Sequence, residues 1–163
     1  MPTADDRKTW ISTAAVVAPR LRLRSDTSVR SLLDGAWWPR SREPVTELTA
    51  LVAALDLRHT PVVNIMLNAQ AWDSHPRRIR VAERVIRLGW FATLDAYLLI
   101  ATTGDNHRVD LLVVSPDTTP ALADMAMGMA ADGAPTLRPA DIMAAATSHP
   151  SGQSSAEAVE DKG

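Results

Sequence analysis

The side chains in this sequence best suited to chemistry are tryptophan and arginine. Trp37 and Trp38 stand side by side in the segment Asp34-Gly-Ala-Trp-Trp-Pro-Arg-Ser-Arg42, with Arg40 and Arg42 close behind. An indole offers a flat π face, and a guanidinium offers five donors in a fixed fork that matches a carboxylate or a phosphate. Together they suit a planar or anionic ligand. Neighbouring side chains of an extended segment point to opposite faces, so one tryptophan is expected in a core and the other outward. Trp72 beside Asp73, and Trp90 near Arg87, repeat the juxtaposition next to turn signals. A blander reading is that these rings close the open end of a sheet core and bond their indole N–H groups to loop carbonyls. A chain with one phenylalanine and one tyrosine must fill volume with something. On the functional reading, the ligand- or partner-binding residues are Trp38, Arg40 and Arg42, joined by Asp73, Arg77 and Arg78 from a following loop.

Catalytic templates fit poorly. His59, His75, His107 and His149 lack metal-ligand spacing, and cysteine is absent, so no zinc site, thiol nucleophile or disulfide is expected. Asp73 and His75 could pair as an orienting acid and a base. Residues two apart in a turn need not face each other, however, and no Gly-x-Ser-x-Gly nucleophile motif is present. Gly35, Gly89 and Gly104 are isolated and build no phosphate-cradling loop. An enzyme would have to use Asp34 or Asp73 as a general base in the same cleft, and no cofactor is expected. A third option is nucleic-acid binding by two arginine stripes, Arg20-Arg22-Arg24 and Arg78-Arg80-Arg87, should their strands be neighbours. The net charge of −2 and the lack of exposed aromatics among those arginines speak against it. The expected role is therefore a non-catalytic binding or regulatory module for a protein partner or a small anionic ligand.

These residues must be positioned by a sheet. Arg20-Leu-Arg-Leu-Arg24 alternates as a strand with Leu21 and Leu23 inward, and Asp34-Gly35 turns the chain into a short strand that Pro39 stops. Pro44 suits a first helical position, and Leu48, Leu51, Val52 and Leu55 recur at helical spacing, giving a helix that ends near Leu57. A strand through Asn68 follows Pro61. Arg77–Val81 and Arg84–Leu88 form a hairpin about Ala82-Glu83, with Val81 opposite Arg84 and Ile79 opposite Ile86. A second hairpin turns at Thr103-Gly-Asp-Asn106, with Ile100 opposite Val109 and Leu98 opposite Leu111. After Ser115-Pro116-Asp117 the period becomes helical, with Thr119 as N-cap and Leu122, Met125, Ala126 and Met129 as the apolar stripe, leaving Met127 free for a partner. A short helix from Pro139 is expected next. The sum is an α+β domain: an antiparallel sheet of about six strands, one inserted helix and a C-terminal helical cap. Residues 19–147 make this domain, residues 1–18 a loose arm and residues 148–163 a disordered acidic tail.

The order of five blocks carries a resemblance. Asp34-Gly-Ala-Trp-Trp-Pro-Arg-Ser-Arg42, Leu51-Val-Ala-Ala-Leu55, Ala71-Trp-Asp73 with Pro76-Arg-Arg-Ile-Arg80, Arg87-Leu-Gly-Trp-Phe91, and Leu111-Leu-Val-Val114 with Pro116-Asp-Thr118 resemble a family of small actinobacterial proteins of unknown function sharing the DGAWWPRSR signature. The match spans roughly residues 20 to 132. It implies one compact domain and carries over no catalytic residue.

Composition bounds the rest. The chain's 163 residues suffice for one domain with its own core. The longest apolar run, Ala96 to Ala101, is too short to span a bilayer, and no signal-peptide pattern opens the chain, so a soluble cytoplasmic protein is expected. Residues 1–90 hold 14 Lys or Arg against 9 Asp or Glu, whereas residues 91–163 hold 3 against 10. That asymmetry could orient the molecule toward an anionic partner.

Overall fold

The computed structural model describes residues 8–15, 17–25, 32–58, 61–132 and 138–148. The expected acidic tail, His59 and His149 lie outside them. Eight strands and three helices follow in the order β1 (Trp10–Ile11), β2 (Arg20–Leu23), β3 (Gly35–Trp38), α1 (Pro44–Asp56), β4 (Val62–Asn68), β5 (Arg78–Val81), β6 (Arg84–Phe91), β7 (Leu98–Thr103), β8 (Arg108–Val113), α2 (Pro120–Asp132) and α3 (Pro139–Ser148). The class is α+β as expected. The strands form one sheet of eight, ordered β1-β5-β6-β4-β7-β8-β3-β2, instead of about six.

The sheet is also mixed rather than antiparallel. β1 runs parallel to β5, β6 to β4, and β3 to β8, while the other neighbours are antiparallel. Alternation and turn residues specify the local hairpins β5-β6 and β7-β8. Parallel neighbours are joined by longer connections, and those leave no local signal. β1 was missed for a related reason: two residues in the expected arm carry no period, and only pairing with β5 makes them a strand.

Both faces of the sheet are covered in part. On one face α1 seats Leu48, Leu51, Val52 and Leu55 against Trp37, Ile65, Leu67, Ile79, Ile86, Leu99 and Leu111. Each such buried side chain contributes about 1.5–3 kcal/mol of burial free energy. Pro44 occupies the first turn, and Glu43, not a serine or threonine, caps the helix by accepting from the Thr46 amide at 2.7 Å. Arg84 ties the other end of α1 to the sheet by pairing with Asp56. On the opposite face α2 and α3 cover the β2-β3-β8 end through Ala123, Ala126, Met127, Ala130, Ile142 and Ala146. The buried stripe of α2 is thus rotated from the expected one, and Met127 is core rather than free. Alanines let the helix approach the sheet closely, and a hydrophobicity pattern weighted toward Leu and Met does not register that.

The β5-β6 hairpin has the expected register, Ile79 opposite Ile86 and Val81 opposite Arg84, with Ala82 at a φ of 56° taking the position that glycine usually occupies. The β7-β8 register is shifted by one residue: Leu99 faces Leu111, and Ile100 faces Asp110. The Thr103 amide donates to the His107 carbonyl at 2.9 Å, closing a three-residue loop in which Asn106 takes a φ of 68°. Both faces are apolar here, so alternation alone does not choose between the two registers. Among the described residues no helix is long and apolar enough to cross a membrane.

Candidate functional site

The ladders set one direction for β3, β4, β6 and β8, so their carboxyl ends share one edge of the sheet, where β2, β5 and β7 begin. The loops after β3, β4 and β8 and the loop before β7 meet there. Glu47 in the first turn of α1 folds the loop after β3 back on itself, accepting from the Arg40 amide at 3.0 Å and the Ser41 hydroxyl at 2.8 Å. The Arg42 carbonyl then accepts from the Asp73 amide at 2.9 Å, joining the loops after β3 and β4. Arg42 Nη2 donates to Ser115 Oγ at 2.8 Å and lies 3.0 Å from Asp117 Oδ2, which adds the loop after β8.

Between these loops lies a cleft of about 250 Å³, lined on its polar side by Ser41, Arg42, Gln70, Tyr97 and Ser115 and floored by Trp72. Trp72 is 7% exposed and stacks on the core residue Trp37 with ring centroids 5.6 Å apart and planes at 19°. Arg42 is the only charged residue among those lining the cleft. The arrangement presents one cationic fork, hydroxyl and amide groups and an apolar floor, which is the composition of a site for a small anion.

The expected site residues are distributed unevenly around this cleft. Trp38 does not enter it: its ring lies on the opposite sheet face beside α2, under the Arg20 guanidinium at 3.6 Å, and its Nε1 donates to the Ser115 carbonyl at 3.1 Å. Partial burial, then the nearby Arg40 charge, lower the Arg20 pKa, and Glu47 opposes both. Arg40 Nη1 donates to the Ala18 carbonyl at 3.0 Å, holding the segment before β2. Asp73 is exposed at the rim and attaches through its backbone. Arg77 and Arg78 begin β5, five strands from β3 and thus about 24 Å away across the sheet. The fold therefore gathers Arg42, Asp73 and, through Ser115, Trp38, but places Arg77 and Arg78 elsewhere.

The candidates for a general base separate as well. Asp34 precedes β3 at the far edge, where its carboxylate accepts from the Asp110 amide at 2.8 Å. It does not share the cleft with Asp73. His75 is bonded to the Ala69 carbonyl and meets the edge of Trp90 at 4.9 Å instead of facing Asp73. The arginine stripes are not neighbours, since β2 and β5 lie near opposite ends of the sheet. The first is engaged with the helical layer: Arg22 pairs with Asp124 at 2.8 Å, and Arg24 donates to the Ala130 carbonyl at 3.0 Å. Gln70, Tyr97 and Ser115 were missed. The one usable signal was the single tyrosine opening a strand, together with the Ser-Pro-Asp turn.

A family model described as a family of unknown function (DUF5994) matches residues 20–130, from the start of β2 to near the end of α2, and the chain belongs to that family. No curated protein and no solved structure matches it.

Proposed function

We propose that this DUF5994 member is a binding module whose ligand is a small anion, a carboxylate or phosphate with a flat apolar part, held in the cleft at the carboxyl ends of β3, β4 and β8. One observation carries the reading: Arg42 is the single charge lining a cleft that three separate loops build. Its Nη2 is used by Ser115 and Asp117, and the remaining donors of the fork serve the ligand. Trp72 and Tyr97 receive the apolar part, and Gln70 and Ser41 complete the polar rim. In this reading Trp38 and Arg40 hold the loop and Asp73 fixes its far side, whereas Arg77 and Arg78 belong to a different surface. At about 250 Å³ the space falls below the ~300–1,000 Å³ of drug-sized sites, so the ligand is small.

A catalytic role has less support. Asp73 is an exposed carboxylate without a facing base, and Asp34 is at the wrong edge.

The test is native mass spectrometry of gently purified protein, followed by thermal-shift titration with the mass-matched carboxylate or phosphate. A bound mass that Arg42→Ala loses, and a thermal shift that the variant abolishes, are the expected results. Ligand-free protein that no small anion stabilises, or a shift that Arg42→Ala leaves intact, overturns the reading.

A further inference from the structure

The face opposite α1 is covered by α2 and α3 only at its β2-β3-β8 end, and the half built from β1, β5, β6 and β4 carries exposed side chains. Ladder register places Arg78 directly opposite Arg87, Arg87 beside Asn64, and Asn64 beside Thr102, in one row across four strands. Arg80 lies diagonal to Arg87, about 7–8 Å away, with Ile11 of β1 as its other neighbour. Among the described residues neither Arg80 nor Arg87 has an ion pair. The one acid in line with this half, Asp110 on β8, is taken by Arg108 at 2.6 Å.

An exposed aromatic is also present, contrary to the sequence-based expectation. Phe91 is 45% exposed and on the same face as Arg87, four residues earlier in β6. Its ring folds back over Gly89: a Cβ at that position would meet Phe91 Cε2 at 2.8 Å. Glycine thus leaves the seat on which the ring rests against the sheet, beside Met66 in the next strand. The result is an aromatic platform next to a cluster of three arginines, carried by a rigid sheet.

We propose that this open half-face binds single-stranded nucleic acid, with Arg78, Arg80 and Arg87 on consecutive phosphates and a base stacked on Phe91. Sheet-borne aromatics with flanking cations are the physical means by which single strands are held, since unpaired bases expose their faces and phosphates supply the charge. A second copy of the chain is the poorer occupant. A two-fold contact through this patch would set arginines against arginines, with no free carboxylate on the patch to separate them. An apolar partner would leave the same charges buried and unpaired. This surface lies five strands from Arg42 and does not depend on the small-anion reading.

The experiment is fluorescence anisotropy with labelled twelve-nucleotide oligo-dT and oligo-U, a duplex of equal length and a polyglutamate peptide, titrated from low to moderate salt. Both single strands are expected to bind, with log K falling against log salt with a slope of about −2, from three phosphates at ~0.7 each. Phe91→Ala is expected to weaken binding roughly tenfold, the loss of one stacked base. Arg80→Ala with Arg87→Ala is expected to flatten the slope to about a third, with one phosphate contact left. These exposed positions leave the core untouched, and unchanged thermal melting confirms folding. Arg42→Ala is expected to leave oligonucleotide binding intact. No binding, binding indifferent to Phe91→Ala, or equal affinity for the duplex or polyglutamate overturns the proposal. So does a concentration-dependent dimer, seen by sedimentation, that the Arg80 and Arg87 substitutions change.

Discussion

The Arg20 guanidinium lies over the Trp38 ring at 3.6 Å, and its Nε and Nη2 donate to the carbonyls of Trp38 and Pro39, each at 3.0 Å. One side chain from β2 thus covers the ring and closes the carbonyls at the end of β3. The tryptophan that local alternation points outward is occupied by its own neighbour strand. Arg20→Ala is expected to cost about 1–3 kcal/mol from the lost cation–π contact and two charge-assisted bonds. Arg20→Lys is expected to recover less than half, because an ammonium cannot stack and fork together. Urea unfolding followed by tryptophan fluorescence reads both, and equal stability of the alanine variant contradicts the assignment.

Trp72 floors the cleft by resting on Trp37, which is 1% exposed. Trp72→Ala is expected to lower stability by about 3–5 kcal/mol and to abolish any thermal response to the small anion. Trp72→Phe keeps a ring in place and is expected to lose less stability while retaining part of the response. The two variants therefore separate loss of fold from loss of site.

Two glycines contacting the same strand predict opposite outcomes. A Cβ at Gly35 would fall 2.3 Å from the Arg22 carbonyl oxygen and 2.8 Å from Leu23 Cα, both backbone atoms that cannot retreat without opening the β2-β3 ladder. Gly35→Ala is expected to destabilise by roughly 2 kcal/mol or more. At Gly128 in α2 the nearest atom is the flexible Arg22 Nη1 at 3.3 Å, so Gly128→Ala is expected to stabilise by about 0.5–1 kcal/mol through helix propensity. Parallel denaturant titrations give both signs.

Ala82 holds a φ of 56° in the β5-β6 turn, a left-handed conformation that costs an L-residue about 1–2 kcal/mol. Ala82→Gly is expected to raise stability by up to ~1 kcal/mol after its larger unfolded-state entropy is counted, shifting the melting midpoint by about 2–4 °C. Calorimetry at fixed pH measures it, and a lower midpoint would show the turn is not strained.

The candidate site was legible in its parts rather than its assembly. Asp34-Gly35 reads as a turn signal, yet no glycine here has a positive φ, and Gly35 is required by the close approach of β2. Arg42 was legible as a cationic fork, but Ser115 and Asp117 lie more than seventy residues further along the chain and reach it only because β8 is the parallel neighbour of β3. Phe91 read as unremarkable because its exposure depends on Gly89 and on which strands α2 leaves uncovered.

Local periodicity alone determined α1 with its buried leucines, the β5-β6 register and the alternation of Leu21 and Leu23 with arginine, because each depends on side chains a few residues apart. Strand order, the parallel pairs, the β7-β8 register and the seating of α2 were decided by tertiary packing. Those choices join residues far apart in sequence, and both faces of the central strands are apolar, so every local pattern is compatible with more than one answer. The same packing sends Trp38 to Arg20, brings Arg42 to Ser115 and Trp72, and leaves Arg80, Arg87 and Phe91 together in the open.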